Sequence, residues 1–308
     1  MFIQVKHISM TMIVVFDTNV YRSMFGRIQT PVEVEARIKE LVDKEARKGV
    51  EASMSSVVAM ELLNHLRDPS DATDFKSCLN AAQALYLHTG DKASFRLLPL
   101  PEVQIAKEYF DQPFTSVEYS QEVLGRLLYE ISQDPQERTL DKMRGDLEQV
   151  STYLSDVRSA VADAAKRVVE DKISKEYKAS ILSDEFKRET ARAMLCAVYM
   201  RLKGVPEEEA FNVISEEMIN TYVKSHAVSL CFRAHFWSCF IDEGFDLSGK
   251  RSNSIFDEMI LSHVGRTINN EEILLVTGDA KMHEAAEALG YQDRIMNVKE
   301  YKAFLDES

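Results

Sequence analysis

The sequence predicts an α/β fold in which a parallel sheet flanked by helices is interrupted by a mostly α-helical insertion, and three observations lead to it. Met12–Phe16 is an apolar, β-branched run without alternation, the pattern of a strand buried on both faces of a parallel sheet. Short runs of this kind alternate with helical periodicity up to about residue 110 and again from about residue 250. Between these regions lie long stretches rich in Ala, Leu, Glu, Lys and Arg with few strand signals. The expected organisation is a core in two parts, residues 10–110 and 250–308, separated by a helical insertion over residues 111–249.

The elements follow in order. Asp17-Thr-Asn19 ends the first strand; Met1 to Ser9 precede it, and Met10 and Met12 are alternative natural starts of the protein. Pro31 to Lys48 has helical spacing through Val34, Ile38, Leu41 and Val42, with Gly49 as its stop. Val50 to Met54 reads as a second strand, and Ser55 or Ser56 caps a helix through Val58, Leu62 and Leu66 that ends before Pro69. Asp74 to His88 is a further helix, and Arg96–Leu100 a short strand leading into a helix from Pro101. After the insertion, Ser252 to Thr267 is amphipathic, Ile273–Thr277 is a strand, Lys281 to Leu289 is a helix stopped by Gly290, and Ile295 to Val298 is a last strand. No internal repeat and no low-complexity linker interrupts this order.

With 308 residues, 45% hydrophobic and 28% charged, the chain is long enough to bury a substantial core. The apolar run near its start is too short to span a bilayer and lacks the flanks of a secretory signal, so a cytoplasmic protein with no membrane partner is expected. Cys78, Cys196, Cys231 and Cys239 form no CxxC pair, which suits free thiols in a reducing compartment. The net charge of 37 − 50 = −13 argues against a protein that coats nucleic acid with a basic surface. It leaves room for acidic sites whose bound cations meet phosphate.

Four acids carry the functional reading. Asp17 closes the first strand, and Asp279 follows Val276-Thr277-Gly just after a late strand, so both belong to the carboxyl edge where parallel α/β sheets gather their functional groups. Glu61 and Asp257 each lie early in a helix and can turn back to the same edge. Carboxylates gathered at one point repel one another. Mg²⁺ or Mn²⁺ relieves that repulsion, because oxygen-only ligation suits these ions. Each acid also has a structural role open to it: Asp17 as a helix cap, Glu61 as a solvated helix residue, Asp257 as a first-turn acid with Glu258 as its substitute, and Asp279 as a turn residue.

Taken in order, Val15-Phe-Asp17-Thr-Asn19, Ser56-Val-Val-Ala-Met-Glu61, Asp257-Glu-Met-Ile260 and Val276-Thr277-Gly-Asp279, with Leu97-Leu-Pro-Leu-Pro101 between, resemble the PIN-domain nucleases, including VapC-type toxins. The resemblance covers roughly residues 10–110 and 250–305. It implies an acidic Mg²⁺ or Mn²⁺ pocket that hydrolyses a nucleic acid, RNA rather than DNA, with Asp17, Glu61, Asp257 and Asp279 as catalytic groups and metal ligands. Asn19 and Thr277 become polar supports for the carboxylates. It also implies, by analogy with toxins, an inhibitory antitoxin-like partner, and a homo-oligomer is an open alternative. The long insertion before Asp257 departs from the toxins.

The competing readings are weaker. A haloacid-dehalogenase-like phosphatase would use Asp17 as nucleophile, but Asn19 stands where that family has its second acid. A non-catalytic PIN-fold binding protein would not need a complete acid set. Gly244–Lys250 imitates a phosphate loop but is followed by Arg251 instead of Ser or Thr; Lys250 and Arg251 remain candidates for binding the substrate backbone near Asp257. Cys231, His235 and Cys239 share a helical face as a buried stripe, since the outer two stand roughly 12 Å apart along the axis, too far for one zinc ion. The mixed charges from Lys166 to Lys203 read as solvated helix faces, with a substrate-guiding lid, or a surface for a partner or second subunit, as the alternative.

Overall fold

In the computed structural model, residues 12–67, 72–90, 97–170, 180–243, 253–268 and 271–307 are described. The chain is mixed α/β and mostly helical, around a small, largely parallel sheet. The first strand, β1 (Met12–Phe16), runs straight into α1 (Thr18–Phe25) and then α2 (Pro31–Arg47). Thr30 caps α2 with its hydroxyl and Pro31 fits the first turn, while Gly49, at φ +67°, turns the chain into β2 (Val50–Ala52). Next come β3 (Met54–Ser55), α3 (Ser56–His65), α4 (Ala72–Thr89), β4 (Leu97–Leu98) and α5 (Pro101–Phe110).

Helices then follow one another: α6 (Thr115–Gln133), α7 (Glu137–Lys142), α8 (Arg144–Glu170), α9 (Asp184–Lys203), α10 (Glu207–Val213), α11 (Glu216–Ser225), α12 (Ala227–Glu243) and α13 (Ser254–Leu261). The chain returns to the sheet through β5 (Thr267–Ile268) and β6 (Glu271–Val276), and closes with α14 (Ala280–Glu287), β7 (Ile295–Met296) and α15 (Val298–Asp306). The main sheet has the order β2-β1-β6-β5 with β7 beside the end of β6, and only β5 is antiparallel. β3 and β4 pair in parallel as a separate two-stranded ribbon.

Several boundaries differ from the sequence expectations for physical reasons. The second expected strand breaks at Ser53 and its two halves join different sheets, the break falling where Ser53 N donates to Val14 O at 2.9 Å. Ser55 occupies the N-cap of α3 without a side-chain cap, and the Ser56 hydroxyl instead donates to Leu98 O at 2.9 Å, tying the buried helix start to β4. Helices α1 and α15 and strand β5 have no counterpart in the sequence reading, and α13 is shorter than expected. Gly265 makes the α13–β5 turn possible: its φ is +80°, and a Cβ there would stand 2.9 Å from the Tyr291 ring.

The buried apolar residues form a continuous cluster from Val14, Phe16 and Val276 in the sheet to Leu127 and Leu147 in the helical stretch. At its centre the Phe16 ring packs 5.3 Å from Tyr21, 4.8 Å from His88 and 5.3 Å from Tyr301, centroid to centroid. A buried polar chain lines these rings. Glu45 accepts from Tyr301 Oη at 2.6 Å and pairs with His88 Nε2 at 2.8 Å, while His88 Nδ1 meets Tyr21 Oη at 2.9 Å. It ties α1, α2, α4 and α15 around the residue that precedes Asp17. Removing one member of such a chain leaves the rest buried and unpaired. Glu45→Ala is therefore expected to cost about 3 kcal/mol, read as a lower urea midpoint at unchanged m-value.

Candidate acidic site

The β1–β6 register pairs Phe16 with Val276, so Asp17 and Thr277 leave the sheet side by side at its carboxyl edge. Thr277, fully buried, donates its hydroxyl to Asp17 Oδ2 at 3.0 Å and accepts the Asp279 backbone N–H at 3.1 Å. One hydroxyl thus links the two strand-end acids. Asp279 Oδ1 also caps α14, accepting from Lys281 N at 2.8 Å and Met282 N at 3.0 Å. The sequence left this residue the role of a turn residue; it is instead a helix N-cap, which fixes the carboxyl group's orientation. His283 Nε2 bonds to Thr277 O at 3.0 Å behind it.

Glu61 reaches the same edge from the second turn of α3. Thr18, the first residue of α1, donates to Glu61 Oε2 at 2.5 Å. Asp257 comes from the first turn of α13. Its neighbour Glu258 is engaged elsewhere, bonded by Arg233 Nε at 2.7 and 2.8 Å, so Asp257 is the acid that meets the other three. Asp17 is buried, and Glu61, Asp257 and Asp279 are half-buried.

Electrostatics register the convergence. Burial raises the Asp17 carboxyl above the usual range, opposed by the Thr277 bond and assisted by the charge of Asp279. Glu61 is pushed up to about 7 by burial, with the Thr18 bond opposing and Asp17 adding to the rise; Arg158 and Arg22 act against it. Asp257 is pushed up to about 9 by burial, then by the charges of Asp17, Glu61 and Asp279, with Lys281 opposing. Asp17, Glu61 and Asp257 act on one another's charge, and the charge of Asp279 adds to the field at Asp17 and Asp257. The four acids make an oxygen-only donor set, which fits a hard divalent cation.

The remaining sequence candidates do not add to the cluster among the described residues. Asn19 is exposed on α1, and no hydrogen bond from its side chain to these carboxylates is among the described contacts. Lys250, Arg251 and the Gly244–Lys250 segment lie outside the described residues. Cys231 and Cys239 are half-buried and His235 is exposed, while Val228, Leu230, Phe232 and Ala234 are the buried apolar residues of α12, so the expected buried stripe is corrected. In the Lys166–Lys203 stretch, Lys187 pairs with Asp184, and Arg188 and Arg192 both reach Glu216, as solvated mixed charge would. Lys172, Lys175 and Lys178 lie outside the described residues.

Three residues enter the site that the sequence did not single out. Thr18 had a signal, its adjacency to Asp17, which the missed helix α1 concealed. Arg22 follows one turn later on α1. Arg158 arrives from α8, where nothing distinguishes it from other helix arginines; its guanidinium stacks 4.9 Å from the Phe256 ring, bonds Asn253 Oδ1 at 3.2 Å and acts on Glu61. No protein-family model, curated protein or solved structure matches this chain. Among the described residues, no helix is long and apolar enough to cross a membrane.

The raised carboxyls fix the sign of a pH effect. The folded state holds protons that the unfolded chain has lost, so without divalent ions the stability these groups contribute is full below about pH 3.8 and is lost as pH rises through about 7 for Glu61 and about 9 for Asp257. Thermal melts in a chelator should follow that decline. Mg²⁺ or Mn²⁺ should restore stability increasingly above pH 7, since ligation needs deprotonated carboxylates. Asp257→Asn should raise metal-free stability at pH 8 by at least ~2 kcal/mol and abolish the response to the ion.

Proposed function

We propose that this chain is a metal-dependent nuclease, an endoribonuclease that hydrolyses phosphodiester bonds at the Asp17, Glu61, Asp257 and Asp279 site. The observation that carries the reading is the meeting of four carboxylates from four separate segments at the carboxyl edge of a parallel sheet, held by Thr18 and Thr277. The ordered resemblance of their motifs to PIN-domain nucleases supports it. The long run of helices between α5 and α13 is then an insertion in a PIN-like core.

The four acids would hold Mg²⁺ or Mn²⁺, which supplies positive charge for the scissile phosphate and acidifies an attacking water. The chain's own groups do the rest. Thr277 sets the rotation of Asp17, and Thr18 sets that of Glu61. Glu61, held by Thr18 beside the other three acids, is the group that would take a proton from the attacking water. Water oxygen bonds to phosphorus as the phosphorus–ester oxygen bond breaks, and the departing oxygen takes up a proton. Arg158 and Lys281 place positive charge beside the acids, where a phosphate backbone would lie. An RNA substrate, an inhibitory protein partner and a second copy of the chain belong to the same reading by analogy only.

The decisive assay incubates the purified protein with single-stranded RNA and DNA in Mn²⁺ or Mg²⁺. RNA should be cut internally, chelation should stop it, and Asp17→Asn or Asp257→Asn should lower the rate at least ~100-fold. Thr277→Val should lower it by about 10–100-fold through loss of the carboxylate's support. Glu61→Gln separates chemistries, since a phosphatase built on Asp17 would keep its activity and the nuclease would lose it. Cleavage unchanged in both aspartate variants contradicts the assignment.

A further inference from the structure

Next to the acidic site, but sharing none of its four acids, three side chains of different chemistry converge. His65 ends α3, one turn beyond Glu61, while Asp74 and Cys78 stand four residues apart on α4. One ligand atom from each lies within 4.8 Å of the other two. Spacing by four on a helix puts two donors on one face, the arrangement helices use to grip a metal ion. His65 Nδ1 stands 2.8 Å from Asp74 Oδ2, and the guanidinium of Arg22 bonds the other carboxylate oxygen, Oδ1. Arg22 thereby orients the carboxylate and leaves Oδ2 towards His65, as outer partners of metal ligands do.

We propose that His65, Asp74 and Cys78 form a second, transition-metal site that takes Zn²⁺. A thiolate, an imidazole and one carboxylate oxygen are a borderline-soft set that favours Zn²⁺ over Mg²⁺ or Mn²⁺. Bonds of 2.0–2.3 Å in a tetrahedron separate ligand atoms by roughly 3.3–3.8 Å, so the observed cluster needs only side-chain adjustments. Cys78 is buried, whereas the side chains of His65 and Asp74 are 42% and 29% exposed, which gives an ion a path in and leaves a fourth position towards solvent. Binding releases the thiol proton to solvent, and Nδ1 gives up its proton as the imidazole takes the Nε2-protonated form. The ion would clamp α3 to α4 beside Glu61. The site does not depend on the nuclease reading.

Cobalt tests it, because thiolate-to-Co²⁺ charge transfer absorbs in the near ultraviolet and oxygen ligands give no such band. The full-length protein, reduced and metal-free, should show the band saturating at one equivalent of Co²⁺, and Zn²⁺ should bleach it. Asp17→Asn should keep the band, Cys78→Ala should lose it, and His65→Ala should weaken Co²⁺ binding at least 10-fold. His65 is partly exposed, so its variant remains informative should Cys78→Ala not fold. Absence of the band in the wild type, or a band and affinity unchanged in folded Cys78→Ala or His65→Ala, overturns the proposal.

Discussion

The pairing of β1 with β6 is the constraint on which the site depends. Their parallel register ends at Phe16 opposite Val276, and the Asp17 amide donates to Val276 O at 3.0 Å, so the next residues emerge with their side chains adjacent. Thr277 turns that adjacency into a bond to Asp17 and a second one from the Asp279 backbone. Slipping the register by one residue would move Asp17 to the other face of the sheet. Glu61 and Asp257 can join the cluster because α3 and α13 pack against each other beside this strand pair.

Gathering these carboxyl groups opposes folding, and the surrounding structure absorbs the cost. Burial and mutual repulsion drive up Asp17, Glu61 and Asp257. What holds them is the apolar core around Phe16 and the buried Glu45, His88, Tyr21 and Tyr301 chain just beneath Asp17. In the proposed reading a cation would complete this arrangement of packed support below and mutually repelling carboxyls above, and local departures of this kind concentrate at functional sites.

How much of this was legible in the sequence follows from where each residue sits. Asp17 and Asp279 could be read because strand ends place them, and both strands are long enough to leave an apolar pattern. Glu61 and Asp257 rested on the order of motifs, since a helix acid two turns from nowhere in particular has no periodic signature. Two-residue strands such as β4 and β5 lie below the length at which alternation can be seen. The Thr18–Glu61 and Arg158–Asn253 bonds join residues 43 and 95 positions apart, and His65 on one helix meets Asp74 on the next. Such contacts exist only once helices have packed, so no local pattern announces them.

Crystals grown or soaked with Mn²⁺, with anomalous differences collected at the manganese edge, address the central claim most directly. The account predicts a peak bounded by the carboxylates of Asp17, Asp257 and at least one of Glu61 and Asp279, with oxygen–metal distances of about 2.0–2.6 Å. Manganese bound only elsewhere on the molecule, with these four side chains unliganded, would contradict it.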